Sequence, residues 1–382
     1  MRFLFVAGGG AATIHASAPL AWAARAAGHE VIVGCPAENT ALVAGLGLPA
    51  AAVGELGIFD AMTKDRRGQP LPRPDTVDGE LDFVGRGFAR LSAGSLPGLV
   101  RLGESWRPDV IVGGEYNHAA ALLSHRLSVP HVRHVWGPYD RSEVDWRGAV
   151  DELGPELAAA GLADLPPAAL FLDITPPSIR PADAEPAAPM RWAPGNQQFP
   201  LEPWMYARGK RPRVVLTSGS RSSVVAGLGA DFFRPLLATP ALADSEVEVV
   251  VATAEPVATE VRAIRPGVRA GWVPLDVLAP TADLVLHHGG GVTAMTLIAA
   301  GTPQLCVPEM LASAASMQRV DAQGASLTLA PHTTDPGEIG AAIGRVLADD
   351  RYRKAAAALA AEVAAMPPAG RVVEDIAALV HA

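Results

Sequence analysis

The sequence predicts an α/β protein of two domains, each built on a parallel β-sheet. Short apolar strands alternate with helical segments in both halves of the chain, as in repeated β-α-β units. A proline-rich segment at residues 176–212 interrupts this alternation. The 382 residues are enough for two domains with complete hydrophobic cores.

The first half begins with a β-α-β unit. Met1–Ala7 is an apolar strand, and a glycine-rich turn follows it. A helix then runs to Gly28, and residues 29–34 form the second strand. Because the connections are short, we expect the two strands to be parallel neighbours in one sheet.

A later unit of the same kind has strands at residues 108–113 and 130–135, joined by a helix at Ala119–Leu127. Between the two units, residues 55–95 are polar and rich in glycine and proline. We predict that this stretch is a long loop excursion that carries binding residues.

In the second half, the strand pattern restarts at Arg213 and leads into a glycine turn at 218–220. Further strands are predicted at Val247–Val251, Val268–Val273 and Leu284–Leu286, with helices between them and at the end of the chain. The predicted division is an N-terminal domain at 1–195, a linker at 196–212, a C-terminal domain at 213–365 and a terminal helix at 366–382 that packs back on the first domain. Ligands of such sheets bind at the carboxyl ends of the strands.

The composition excludes several classes of protein. Hydrophobic residues make up 49% and charged residues 19%, which is typical of a globular chain. A net charge of −9 argues against a nucleic-acid partner. Two cysteines exclude a disulfide framework and favour the cytoplasm. No apolar run reaches the roughly 18–20 residues of a membrane span, and Phe3–Ala7 is too short for the core of a signal peptide.

The segment with the clearest chemistry is the turn His287–Gly291. It follows a strand and precedes a helix predicted from Ala294. Glycines let backbone N–H groups approach a ligand, and a helix N-terminus adds about half a positive charge, so the turn suits a diphosphate. Thr293 is placed to cap the helix or to donate to phosphate. From these residues alone, an ordinary strand–helix turn is an equally good interpretation.

Several segments together resemble family 1 glycosyltransferases, most of all the bacterial enzymes that attach deoxysugars to polyketide and macrolide natural products. The resemblance keeps its order along nearly the whole chain. It rests on Pro19–Ala23, Ala27–Val31, Arg133–Gly137, Pro176–Arg180, Gly271–Leu275, Leu278–Asp283, His287–Thr293 and Ala300–Leu305. It implies the GT-B fold, with two facing Rossmann-like domains.

The resemblance also implies the residues that bind a nucleotide-sugar donor. Trp272 and the backbone of Val273 would hold the nucleobase, although a tryptophan packed in the core is the simpler interpretation of that residue. The diphosphate would be bound by His287, Ser218, Ser220 and the amides of Gly290, Gly291, Val292 and Thr293. No metal and no cofactor are implied; a TDP-sugar would be the co-substrate, and helix dipole and histidine would neutralise the leaving diphosphate.

The sequence departs from the family at the usual base histidine, whose position is Thr13 here. A threonine hydroxyl does not accept a proton near neutral pH. His15 is two residues further on. If both residues lie on one helix, they are about 200° apart and His15 faces away; if the segment is a loop, His15 reaches the site.

A second departure concerns the family's Asp-Gln pair, which binds sugar hydroxyls. The matching positions are Ala312 and Ser313, and neither accepts a pair of hydrogen bonds from a diol as a carboxylate does. This fits a donor poor in hydroxyls. It fits equally well a protein that has lost donor binding.

Other side chains could replace the base. Asp140 follows Trp136 and lies near the position where related C-glycosyltransferases carry a carboxylate. Glu115 follows the strand that ends at Gly114, so it should lie at the carboxyl edge of a sheet. A surface carboxylate is the simpler interpretation of each. The acceptor would lie under residues 55–95, with Asp60 and Trp136 as contacts.

Two functions remain open from the sequence. The first is inverting transfer of a deoxysugar from a TDP-sugar to a hydrophobic polyketide or macrolide acceptor by a cytoplasmic, metal-independent enzyme that could form a homodimer. The second is a non-catalytic relative that acts as a helper or binding protein, which Thr13 and Ala312–Ser313 favour. The intact glycine turn and the Gly271–Pro274 run oppose the second function.

Overall fold

The computed structural model of the chain describes residues 1–138, 142–221, 229–243 and 246–381. The chain divides into two compact units. The first unit contains Met1–Ile174, Ala182–Gly195 and Met366–Ala382, and the second contains Thr175–Pro181 and Asn196–Ala365. Each unit is built on one parallel sheet. The predicted α/β class with two parallel sheets is therefore confirmed.

The first unit has a sheet of seven strands. They are β1 (Arg2–Val6), β2 (Glu30–Pro36), β3 (Ala50–Gly54), β4 (Val110–Gly114), β5 (His131–His134), β6 (Leu170–Asp173) and β7 (Ala188–Pro189). Their order is β3-β2-β1-β4-β5-β6-β7, with all pairs parallel. The central strands are apolar throughout because helices cover both faces of such a sheet, and Phe3 and Leu4 are completely buried.

The second unit has a sheet of six strands. They are β8 (Arg213–Thr217), β9 (Glu248–Ala252), β10 (Arg269–Gly271), β11 (Leu284–His287), β12 (Gln304–Cys306) and β13 (Ser326–Thr328). Their order is β10-β9-β8-β11-β12-β13, again with all pairs parallel. Val214–Leu216 and Leu284–Leu286 are fully buried at its centre.

Both sheets reverse their strand order in the middle. In the first unit the reversal falls between β1 and β4, and in the second it falls between β8 and β11. The loops that follow such a pair leave the sheet in opposite directions, which opens a crevice at the carboxyl ends of the two strands. Ligand-binding residues are therefore expected in the loops after these four strands.

Seven helices lie in the described part of the first 160 residues. They are α1 (Ala11–Ala26), α2 (Thr40–Gly45), α3 (Ile58–Thr63), α4 (Val77–Trp106), α5 (His118–Leu127), α6 (Glu143–Glu152) and α7 (Gly154–Ala159), with a 3₁₀ turn at Ala37–Asn39. None of the helices in the described residues is both long and apolar enough to cross a membrane.

Helix α4 corrects the prediction that residues 55–95 are a loop. It has 30 residues and begins at a cap in which Thr76 Oγ1 accepts the N–H of Gly79 at 3.1 Å. Its glycines permit close packing: a Cβ on Gly85 would lie 2.0 Å from the carbonyl oxygen of Asp145, and one on Gly98 would lie 1.9 Å from that of Val53. Tertiary packing has overridden the low helix propensity of these glycines.

After residue 200, the structure describes ten helices within 201–221, 229–243 and 246–381. They are α8 (Pro203–Tyr206), α9 (Ala230–Leu237), α10 (Pro240–Ala243), α11 (Glu255–Ile264), α12 (Leu275–Leu278), α13 (Gly291–Ala300), α14 (Leu311–Ala322), α15 (Pro336–Ala348), α16 (Asp350–Ala365) and α17 (Ala369–His381). Further 3₁₀ turns lie at Pro177–Ile179, Gly219–Arg221 and Ala279–Thr281.

The proline-rich segment is not a free linker. Residues 196–212 belong to the second unit and include α8. Residues Thr175–Pro181 also belong to the second unit, although the sequence placed them in the N-terminal domain. Helix α17 belongs to the first unit and packs on α1.

Candidate functional site

The turns after β8 and β11 start side by side at the centre of the second sheet. Thr217 and His287, the last residues of the two strands, are partners in the register. Ser218 is fully buried after β8, and the next residue, Gly219, has a φ of +70° that suits a residue without a Cβ. Ser220 is half-buried. The structure therefore brings Ser218 and Ser220 close to the glycine turn after β11.

Helix α13 presents its N-terminus at this place. Gly290 is its N-cap residue, and no side chain caps it among the described residues. The N–H of Ala294 donates to the carbonyl of Gly290 at 2.9 Å, so the amides of Gly291, Val292 and Thr293 precede the first bond of the helix. No acidic residue lies in this first turn, so these amides present the positive end of the helix dipole at the predicted anion site.

The helix begins three residues earlier than the sequence suggested. The prediction started it at Ala294, but α13 starts at Gly291. Thr293 is therefore the third helical residue, and the prediction that it caps the helix is wrong. Gly290 and Gly291 favoured a loop in the sequence because glycine is unfavourable inside a helix. At the N-cap and the first helical position, this cost is small.

His287 is fully buried at the end of β11. Its Nδ1 accepts the N–H of Gly289 at 3.2 Å, so an imidazole proton is carried on Nε2. Burial lowers the pKa of His287 to about 4, and the side chain of Gln304 offsets part of this effect. His287 is thus neutral at pH 7, and its predicted role towards the diphosphate is that of a hydrogen-bond donor rather than a cation.

His288 is the histidine that lies between the two turns. A Cβ on Gly219 would come within 2.6 Å of its Cε1, and a Cβ on Gly290 within 2.6 Å of its Nε2. The His288 ring therefore lies between the Ser218–Ser220 turn and the N-terminus of α13. Sequence reasoning gave His288 no role, although its position between a strand end and a glycine turn was visible.

Trp272 and Val273 follow the edge strand β10. Trp272 is half-buried, so it is not a core tryptophan, and its indole N–H donates to the carbonyl of Gln197 at 3.4 Å. The ring of Phe199 lies 6.1 Å from the ring of Trp272, tilted by 47°. Val273 is buried, which leaves its backbone as the group for the predicted contact with a nucleobase.

Ala312 and Ser313 lie in the first turn of α14, beside the glycine turn. A Cβ on Gly289 would be 3.1 Å from Ser313 Oγ, and Gly289 has a φ of +88°. Ser313 Oγ donates to the carbonyl of Met310 at 2.9 Å. The positions that match the Asp-Gln pair therefore adjoin the anion site, as the resemblance implied.

In the first unit, Thr13 and His15 both lie on α1, so their side chains point about 200° apart. Thr13 Oγ1 donates to the carbonyl of Gly10 at 2.8 Å and stabilises the turn before the helix. His15 is 5% exposed, and its Nε2 has no hydrogen-bond partner among the described residues. Burial lowers the pKa of His15 to about 4.

Of the other predicted bases, Glu115 directly follows β4, at the reversal point of the first sheet, and it is buried. This is the edge that the sequence predicted for it. Asp140 lies outside the described residues, so its predicted role stays a prediction.

Trp136 belongs to a cluster of three half-buried rings above the carboxyl edge of the first sheet. Its ring lies 5.5 Å from that of Phe88 and 5.4 Å from that of Tyr116. Tyr116 Oη donates to Asp145 Oδ2 at 2.8 Å. Phe88 and Tyr116 were missed by the sequence analysis, although Tyr116 follows the same strand as Glu115.

Asp60 lies on α3 and forms an exposed ion pair with Lys64, with 2.8 Å between the carboxylate oxygen and Nζ. It also lines a cavity of about 500 Å³, whose charged lining includes Arg66 and Arg90. Arg66 pairs with Glu156, which also lines this cavity. The predicted acceptor contact of Asp60 stays a prediction.

Comparison with known proteins agrees with this geometry. Residues 81–219 match the N-terminal domain of the family described as erythromycin biosynthesis protein CIII-like, and residues 236–379 match its C-terminal domain. The chain belongs to this family. It is therefore a glycosyltransferase of the kind found in antibiotic biosynthesis, as the sequence predicted.

Individual relatives span the whole chain. The L-demethylnoviosyl transferase of Streptomyces niveus is 32% identical over 99% of this chain and 98% of its own length. The tylactone mycaminosyltransferase of Streptomyces fradiae is 29% identical over 93% and 87%. A crystal structure of the Streptomyces sp. SF2575 glycosyltransferase SsfS6, complexed with thymidine diphosphate, is 32% identical over 98% of this chain and 99% of that chain, with a TM-score of 0.84. The GT-B fold is thus confirmed.

Proposed function

We propose that this glycosyltransferase moves a deoxysugar, with inversion at the anomeric carbon, from a TDP-sugar to a hydrophobic polyketide or macrolide acceptor. The observation that carries the proposal is the N-terminus of α13. Its amides adjoin the Ser218–Ser220 turn at the reversal point of the second sheet. A diphosphate is the group that this arrangement suits best.

For the donor, the amides of Gly291, Val292 and Thr293 hold the diphosphate and stabilise the charge that develops as it leaves. No metal is needed for this role, since the helix dipole supplies the positive end. Trp272 stacks on the thymine. Thymidine diphosphate bound to SsfS6 supports this choice of nucleotide.

The sugar lies next to Ala312 and Ser313. Neither side chain offers the carboxylate that would grip a vicinal diol, and Ser313 Oγ is already engaged with Met310. A deoxysugar leaves fewer hydroxyls to satisfy than a fully hydroxylated hexose does. The mycaminosyltransferase among the relatives supports this choice of sugar class.

For the acceptor, we assign the cluster around Trp136 as the apolar surface. A base takes the proton of the attacking group while the bond between the anomeric carbon and the diphosphate oxygen breaks. The candidates are Glu115, His15 and Asp140. Glu115 has the best support from geometry, because it follows β4 at the reversal point whereas His15 is turned away from Thr13 on α1.

The test uses purified protein in two measurements. Calorimetry with TDP is expected to show binding, and incubation with TDP-deoxysugars and polyketide or macrolide aglycones is expected to give a glycoside. Absence of both binding and turnover would contradict the proposal. Tight TDP binding without turnover would instead favour the non-catalytic alternative, which the named transferases among the relatives do not support.

A further inference from the structure

The segment 196–199, here called the strap, runs beside Trp272 in the second unit. It precedes α8 and was part of the predicted linker. The strap is fixed at two points on the short stretch 272–276: the indole N–H of Trp272 donates to the carbonyl of Gln197, and the carboxylate of Asp276 accepts hydrogen bonds from strap amides.

Asp276 uses both of its oxygens for the strap. Oδ1 accepts from Asn196 Nδ2 at 2.8 Å, and Oδ2 accepts from Gln198 Nε2 at 3.0 Å. Hydrogen bonds to a charged acceptor are stronger than neutral ones. A pair of such bonds on alternate residues orients the strap as well as holding it.

The held strap presents Phe199 towards Trp272. Phe199 is 45% exposed, although both of its strap neighbours Asn196 and Gln198 are held by Asp276. Its ring and that of Trp272 are 6.1 Å apart at an angle of 47°. The two rings are tilted rather than stacked, so they diverge on one side and do not cover each other's faces.

We propose that the strap is the second wall of a nucleobase pocket, with Trp272 as the first wall, and that Asp276 is the positioning residue that holds the strap in place. This inference rests on the proposed function, because it takes the donor to be a thymidine diphosphate sugar. The strap acts on the base end of the nucleotide, whereas α13 acts on the diphosphate end. The two ends can therefore be tested separately.

The experiment measures the affinity of the full-length protein for TDP by calorimetry and for inorganic pyrophosphate by competition with TDP. Phe199→Ala is expected to weaken TDP binding about tenfold, as loss of an aromatic stacking partner does. Asp276→Ala should have an effect of similar size. Neither variant should change the affinity for pyrophosphate.

Conservative variants separate positioning from general damage. Phe199→Tyr keeps the ring, and Asp276→Asn keeps hydrogen bonds to the strap once one strap amide turns over, so both should retain most of the TDP affinity. Tyr206→Ala is the matched control, because Tyr206 is a 56% exposed aromatic residue of the same unit. Thermal midpoints of all variants report on folding.

The outcomes are distinct. Wild-type TDP affinity in both alanine variants would overturn the strap proposal, and so would a parallel loss of pyrophosphate affinity. If the unmodified protein binds no TDP, the proposed function fails instead. Loss of TDP affinity alone, with recovery in Phe199→Tyr and Asp276→Asn, is the result that supports the strap.

Discussion

Two triglycine turns of this chain occupy equivalent places and differ in what surrounds them. Gly8–Gly10 follows β1 and precedes α1, while Gly289–Gly291 follows β11 and leads into α13. A Cβ on Gly9 would lie 2.8 Å from Leu91 and 2.9 Å from Ile58, so apolar side chains cover the middle glycine of the first turn. The second turn is bordered by His288 and Ser313.

The difference teaches that glycines before a helix do not by themselves specify an anion site. In the first turn, the carbonyl of Gly9 accepts from Asn39 Nδ2 at 2.9 Å, and the turn serves packing. In the second, the neighbours His288 and Ser313 are polar, and the amides of Gly291, Val292 and Thr293 precede the first hydrogen bond of α13. In our proposal, the first unit contributes a side chain to the reaction, and the second contributes mainly backbone groups.

The largest effect is expected where the first unit supplies a side chain to the reaction. Replacing the catalytic base should lower kcat by about 10²–10⁴-fold. We expect Glu115→Gln to do so and to leave TDP affinity unchanged, because the proposed diphosphate contacts all come from the second unit. Steady-state kinetics and calorimetry provide the two values.

The exposed Glu104, paired with Arg126, gives the control Glu104→Gln, which should behave as the unmodified enzyme. His15→Ala and Asp140→Asn complete the set. If none of the three candidate substitutions lowers kcat tenfold, which is about 1.4 kcal/mol of barrier, the base is not among these residues.

A smaller effect is expected from adding one methyl group to each turn. Gly290→Ala pushes against His288, whose ring is confined by Gly219 on the other side, so TDP affinity should fall at least about tenfold. Gly9→Ala crowds Leu91 and Ile58 and should lower the free energy of unfolding by about 1–3 kcal/mol. Calorimetry and urea unfolding of both variants give a two-by-two comparison. If Gly290→Ala and Gly9→Ala weaken TDP binding equally, the proposed difference in function between the two turns is wrong.

A third prediction concerns acid. Burial lowers the pKa of His15, His131 and His134 in the first unit, and of His287 in the second, to about 4. Because the unfolded chain binds their protons near pH 6.5, stability is complete above that pH and falls as the pH drops towards 4. Each histidine adds at most about 1.4 kcal/mol per pH unit to the fall.

The first unit should therefore lose stability to acid sooner than the second. Hydrogen exchange at pH 7 and pH 5 measures protection separately in β1 and β4 and in β8 and β11. The prediction is that protection falls more between pH 7 and pH 5 in the first sheet than in the second. An equal or smaller fall in the first sheet would contradict it.

The smallest effect is expected from metal removal. Since backbone amides and the dipole of α13 neutralise the leaving diphosphate in our proposal, EDTA should leave kcat unchanged. A large loss of rate with EDTA that magnesium restores would show that the amides of α13 do not suffice.

The strands and the second glycine turn could be predicted because apolar runs bounded by glycine have few alternative structures. Strand β3 was not predicted because Ala50–Ala52 contains none of the β-branched residues that indicate a strand. Helix α4 was not predicted because Gly85 and Gly98 pack on residues that are distant in sequence, and the sequence pattern does not show those contacts. The ring cluster was not predicted for the same reason, since Phe88, Tyr116 and Trp136 lie far apart in the sequence.

The attachment of the strap to Asp276 has a consequence for hybrid enzymes that exchange halves between relatives. A junction after Phe199 would part the strap from its carboxylate, whereas one between Gly195 and Asn196 lets both travel together. Residues 175–181 should move with the donor half, because Arg319 Nε donates to the carbonyl of Ile179 at 3.0 Å. The last 17 residues, 366–382, should stay with the acceptor half, where the N–H of Arg191 donates to the carbonyl of Pro367 at 2.8 Å. A working exchange thus needs four cuts, after residues 174, 181, 195 and 365, rather than one.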